Sequence, residues 1–121
     1  MDISRFDESN AEYVAEALVF SGRQNPRWTI STDLGRHLEE VWNRLTPCST
    51  SMPAPAGLGY RGCRLSNKGG GSWFAFNGFV EGTHPRHTGV RIDSDREFER
   101  SLLATRPSDV LPLSFLPHEL R

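Results

Sequence analysis

The sequence predicts an α+β domain, and three observations carry that expectation. An apolar stripe at helical spacing runs from Leu34 to Leu45. A glycine-rich turn, Ser66–Gly71, separates two extended apolar segments, and a capping pattern opens a helix near Asp95. In chain order the expectation is two N-terminal helices, a Pro-rich connector, an antiparallel three-stranded meander (about 58–65, 72–80 and 88–92), a helix over about 95–105, and a Pro/Leu-rich tail. All of it is read as one domain spanning 1–121, a length that supports a core without metal or disulfide staples.

The first helix is read over 9–20. Ser9 and Glu12 have the spacing of a capping box, Ala11, Val14, Ala15 and Leu18 recur at helical intervals, and Ser21-Gly22 supplies the stop. Trp28-Thr29-Ile30 is a short extended piece. Ser31, Thr32 and Asp33 then offer N-cap oxygens to a second helix. Its residues Leu34, Leu38, Val41, Trp42 and Leu45 fall on one stripe, Glu40 and Arg44 form a favourable i,i+4 pair, and Pro47 ends it.

Thr46–Gly57 has Pro47, Pro53, Pro55 and Gly57 among its twelve residues and reads as an extended connector. Leu58–Leu65 alternates loosely, as a strand does. After the turn at Ser66–Gly71, the segment Ser72–Val80 carries Trp73, Phe74, Ala75, Phe76, Phe79 and Val80. Both faces of that segment are apolar, which places it centrally in the sheet and leaves its second face in need of a cover. Glu81–His87 reads as a loop and Thr88–Ile92 as a third strand. Ser94 and Glu97 form another capping box, with Asp93 and Asp95 favouring the helix N-terminus, and Pro107 stops the helix. The tail, Ser108–Arg121, is too rich in Leu for a solvated end and is expected to pack on this chain or on another.

Composition excludes several classes. Apolar residues make up 36% of the chain and the net charge is −1, so no global field draws it to nucleic acid or anionic lipid. No run of ~18 apolar residues exists to span a membrane. The segment Met1–Glu8 is acidic and shows no apolar signal region, making the cytoplasm the expected compartment. Cys48 and Cys63 match no metal-ligand spacing and are read as idle thiols, although a bridge between them stays open. Thirteen of the 14 basic residues are arginine. Coding bias accounts for that simply, while the guanidinium fork also suits carboxylate or phosphate recognition and interface burial.

The run Leu58-Gly59-Tyr60-Arg61-Gly62, together with Asp93-x-x-Arg96-x-x-Glu99-x-x-Leu102-Leu103-x-Thr105, resembles small uncharacterised bacterial proteins of actinomycete type. Such proteins similarly carry a helix, a Pro-rich connector, an LGYRG strand and a D-x-x-R-x-x-E-x-x-L-L helix. The resemblance covers about half of the chain, implies no activity, and does not extend to the tail after Thr105.

Candidate chemistry is sparse. His84 and His87 are three apart but flank a proline and lack further ligands; Asp93, Asp95, Glu97 and Glu99 cluster where a helix start favours acids; and Asn67–Gly71 lacks the phosphate-loop pattern. No catalytic residue, cofactor or metal is expected. The leading reading is a small cytoplasmic protein-binding module, of immunity or antitoxin type in its most specific form, with Arg61, Arg64, Trp73, Phe76, Phe115 and Leu116 contributing to a buried patch. One alternative is a small enzyme or small-molecule binder using Asp93, Asp95, His84 and His87. Another is a single-stranded nucleic-acid binder that stacks bases on Tyr60, Trp73, Phe74 and Phe76, which the net charge disfavours. A homodimer is compatible with all three.

Overall fold

The computed structural model describes residues 11–55, 59–84 and 88–121. The chain is a mostly sheet α+β fold. Among the described residues seven strands form one antiparallel sheet: β1 (Tyr13–Ala17), β2 (Arg27–Ile30), β3 (Thr46–Cys48), β4 (Cys63–Asn67), β5 (Ser72–Phe76), β6 (Phe79–Gly82) and β7 (Gly89–Ile92). Their spatial order is β2-β1-β4-β5-β6-β7-β3. Among the described residues there are two α-helices, α1 (Thr32–Arg44) and α2 (Glu97–Ala104), the second entered through a 3-10 turn at Ser94–Arg96. Among the described residues no helix is long and apolar enough to cross a membrane.

Two N-terminal helices and a three-stranded meander are therefore not what the chain forms. The expected helix over 9–20 is strand β1, with Ser9 and Asn10 outside the described residues. Its apolar residues satisfy either period, and the sheet chooses two. Tyr13, Ala15 and Ala17 point into the core, with Val14 and Glu16 between them on the other face. A helix over the same residues would bury the stripe Ala11, Val14, Ala15 and Leu18 and leave Tyr13 off it, whereas the strand buries the Tyr13 ring and gains ladders on both sides, with β2 (Ala15↔Trp28) and with β4 (Ala15↔Leu65).

The second correction is a hairpin. The segment 72–80 is not one strand, because Asn77 and Gly78 both take positive φ (52° and 89°) and fold β6 back on β5 with Phe76 opposite Phe79. Two such residues in succession make the turn whose twist matches paired strands. Glu81 and Gly82, expected in a loop, thereby belong to β6. The expected strand at 58–65 starts later, at Cys63, with Leu58 outside the described residues. The connector contributes an edge strand, β3, paired with β7 (Pro47↔Arg91). Proline is tolerated there because an edge strand has a side with no ladder to break.

Helix α1 forms as its sequence predicts. The Ser31 side chain accepts from the Leu34 N–H (3.2 Å), and Leu38, Val41 and Trp42 are buried while Leu34 remains 48% exposed. Both helices pack on the sheet face that carries Tyr13, Trp28, Leu65 and Trp73. Gly35 of α1 lies so close to Tyr13 that a Cβ there would be 2.2 Å from its ring. The Trp28 indole N–H donates to the Thr105 hydroxyl at the end of α2 (2.8 Å). The tail packs on its own chain: Leu111, Leu116 and Leu120 are buried, and Arg121 Nε donates to the Leu116 carbonyl (2.9 Å).

Cys48 and Cys63 are free thiols. They lie on β3 and β4, four strand positions apart in the sheet, roughly 19 Å at the usual ladder spacing, which is beyond any disulfide.

Candidate protein-binding face

Alternation along the strands divides the sheet into two chemically different faces. One is the core described above. The other carries Phe74 and Phe76 on β5, Phe79 and Glu81 on β6, and Val90 and Ile92 on β7, half-buried except for Ile92, which is 41% exposed. The register aligns them in rows. Across one row run Glu16, Arg64, Phe74, Glu81 and Val90, and across the next Phe76, Phe79 and Ile92. The apolar centre is bordered on the β1–β2 side by ions: Glu16 Oε1 lies 3.4 Å from Arg27 Nη1 and 3.7 Å from Arg64 Nη1. The Arg64 guanidinium sits 5.4 Å from the centre of the Phe74 ring.

Beside the β1–β2 edge lies an open groove of about 780 Å³, lined by residues that include Phe20, Arg23, Asn25, Arg27 and Val110. The Arg23 guanidinium stacks on Phe20 (3.7 Å), and Phe115 meets the same ring edge-on at 5.6 Å. Arg61 ties this corner by donating to the Phe20 carbonyl.

The residues expected to form one partner patch thus separate. Arg64 and Phe76 lie on the open sheet face. Arg61 and Phe115 (42% exposed) lie at the Phe20 corner. Trp73 and Leu116, at 1% and 2% exposure, are core. Phe79 and Ile92 were not among the residues expected on a binding face, and Phe74 entered only as a base-stacking aromatic. Their signal was the Asn77-Gly78 turn, which sets the alternation of both flanking strands.

The acidic cluster resolves into a folding device. Asp93 is buried, and its carboxylate accepts from the Phe98 and Glu99 amides (2.9 and 3.1 Å), capping α2 in place of the expected Ser94 and Glu97. The reason is the turn between them: Asp95 and Arg96 take positive φ (55° and 56°), which swings Asp93 rather than Ser94 to the helix end. Glu99 is fully buried, accepting from the Tyr60 hydroxyl (2.5 Å) and from Arg96 Nε (2.9 Å), and Arg96 Nη1 reaches Glu119 of the tail at 3.7 Å. Three of the residues quoted for the resemblance, Tyr60, Arg96 and Glu99, therefore meet in one network. Burial pushes the Tyr60 hydroxyl and the Cys63 thiol up, with the Glu99 charge adding to both, so Cys63 is held as a thiol rather than a nucleophilic thiolate.

Asp95, by contrast, faces a shallow depression with Ser94, Glu97, Arg100 and Ser101, and His84 lies near Gly71 at the β4–β5 turn. His87 is outside the described residues. Among the described residues no group of three or more His, Cys, Asp or Glu side chains is arranged to hold a metal ion.

Burial also raises the Asp93 carboxyl above its ordinary 3.8, against the pull of the two amides it accepts from. The folded chain thus binds this proton more tightly than the unfolded chain. The Asp93 contribution to stability rises as pH falls through the raised value and levels off below about 3.8; above the raised value it is a constant deficit. Denaturant unfolding of wild type and Asp93→Asn from neutral pH downwards should show wild type gaining relative to the variant as pH drops. A flat difference, or the opposite slope, would contradict this assignment.

No known protein family, curated protein or solved structure matches the chain, so the likeness to actinomycete-type proteins rests on the residues quoted for it alone.

Proposed function

We propose that this chain is a protein-binding module without catalytic activity, and that it engages its partner through the open face of the sheet. The observation that carries this reading is the block Phe74, Phe76, Phe79 and Ile92, brought into register on the face opposite the core and bordered by Arg64 and Glu81. An aromatic centre with a charged rim is the composition of contact hot spots, where a few large side chains supply most of the binding energy. An immunity or antitoxin-like role is the specific form of this reading, by analogy with other compact bacterial α+β proteins.

Base stacking draws less support. Of the four aromatics it would use, Trp73 is buried and the Tyr60 hydroxyl is committed to Glu99, while Glu16 and Glu81 oppose phosphate on the same face. The Asp/His site draws none from geometry, since Asp93 is spent on capping α2 and Asp95 lies in a separate depression.

The test is affinity capture with wild type and with Phe76→Ser/Phe79→Ser, thermal melting serving as the control for folding. Partner binding should weaken about tenfold or more in the variant, as loss of a hot spot does. Capture that ignores both phenylalanines would refute the reading, and salt-sensitive retention on single-stranded DNA would transfer the face to nucleic acid.

A further inference from the structure

We infer that the partner on this face is a second copy of the chain, packed sheet to sheet about a two-fold axis running along β5. The inference rests on the protein-binding reading above and adds the identity of the partner.

Its basis is the charge order across the sheet. In the row through Phe74, Arg64 is the direct neighbour on β4 and Glu81 the direct neighbour on β6. The face therefore reads cation, aromatic, anion at successive strand spacings. Beyond Arg64, Glu16 Oε1 lies 3.7 Å from Arg64 Nη1 and 3.4 Å from Arg27 Nη1, so Arg64 shares that carboxylate oxygen with a second guanidinium. On the other side Glu81 has no hydrogen-bonding or ionic partner among the described residues, and the Arg64 side chain is 41% exposed.

A two-fold axis along β5 exchanges the positions of β4 and β6 between facing sheets. Arg64 of each copy then meets Glu81 of the other, twice by symmetry, while Phe74 and Phe76, on the axis, meet their own counterparts. In the second row, Phe79 of one copy arrives where the Phe74 ring of the other lies over Gly62, a position with no side chain of its own. An isologous contact requires this self-complementarity. A partner of uniform charge would leave either Arg64 or Glu81 facing its own sign.

Charge exchange tests it, read by sedimentation velocity on the full chain. Wild type should be dimeric. Arg64→Glu and Glu81→Arg should each weaken self-association about tenfold or more, because each sets like charges across the interface twice, and the double variant Arg64→Glu/Glu81→Arg should restore it. Both positions are on the solvent side of the sheet, and far-UV circular dichroism with thermal melting verifies that each variant is folded. Single variants that dimerise like wild type, or a double variant no better than the singles, overturn the inference. A wild type that is monomeric yet captures a protein through Phe76 and Phe79 overturns self-association and leaves the protein-binding reading standing. A chain that does neither overturns both.

Discussion

Glu99→Ala is expected to be the most damaging single substitution in the polar network, lowering stability by about 3–5 kcal/mol. The carboxylate is fully buried and takes hydrogen bonds from two donors on different parts of the chain, the Tyr60 hydroxyl ahead of β4 and the Arg96 guanidinium at the start of α2. Removing it strands both donors. It also leaves the Arg96 charge, with only 18% of its side chain exposed, dependent on Glu119 at 3.7 Å. Unsatisfied buried groups incur their full desolvation penalty, which exceeds the net worth of the bonds themselves. The thermal midpoint should fall by more than about 10 °C for a chain of this size. Tyr60→Phe removes one donor without stranding a charge and should lose only about 1–3 kcal/mol. If Glu99→Ala melts within a few degrees of wild type, the network does not hold α2 and the tail to the sheet.

Gly62→Ala is expected to lower stability by a comparable amount, about 3–5 kcal/mol, through the backbone. Gly62 has φ of 113°, beyond the left-handed region that asparagine or aspartate tolerates, and an added Cβ would lie 2.6 Å from the Phe74 ring and 2.9 Å from the Ala75 carbonyl oxygen. The ring can turn away, but the carbonyl belongs to the β5 backbone and cannot. The residue also holds the β1 ladder, its carbonyl accepting from the Leu18 N–H at 2.9 Å. Chemical denaturation should show a large fall in midpoint, together with a change in Phe74 side-chain chemical shifts. A neutral result would mean that the approach of β4 to Phe74 relaxes at no cost.

Local signals were enough for α1, where the Ser31 cap and the stripe through Leu38, Val41 and Trp42 act within a few residues of one another. They were also enough for a C-terminal helix after Asp93 and for the turn at Ser66–Gly71. The hairpin at Asn77-Gly78 was equally local, and the dipeptide that makes it lies in plain view between Phe76 and Phe79. Its flanks are apolar without interruption, so a continuous buried strand satisfied the same pattern. The arginine excess likewise has a structural account that composition could not supply: Arg61, Arg91, Arg106 and Arg121 tie carbonyls of Phe20, Trp42, Leu103 and Leu116, and Arg27, Arg64 and Arg96 pair with buried or half-buried glutamates.

Pairing over long separations could not be read this way. Residues Tyr13–Ala17 carry a pattern compatible with helix or strand, and only the presence of β2 and β4 on either side makes the extended form the better burial. The Pro-rich connector yields a strand because β7, more than forty residues later, offers it an edge at Pro47↔Arg91. The same assembly separates neighbours of near-identical type: Trp73 enters the core and Phe74 the open face, and Leu116 is buried while Phe115 is not. A residue's own chemistry and its near neighbours set caps, turns and helical stripes. Which side of a sheet it occupies, and hence whether it stabilises the chain or is offered to a partner, depends on strand partners distant in sequence, and packing alone decides it.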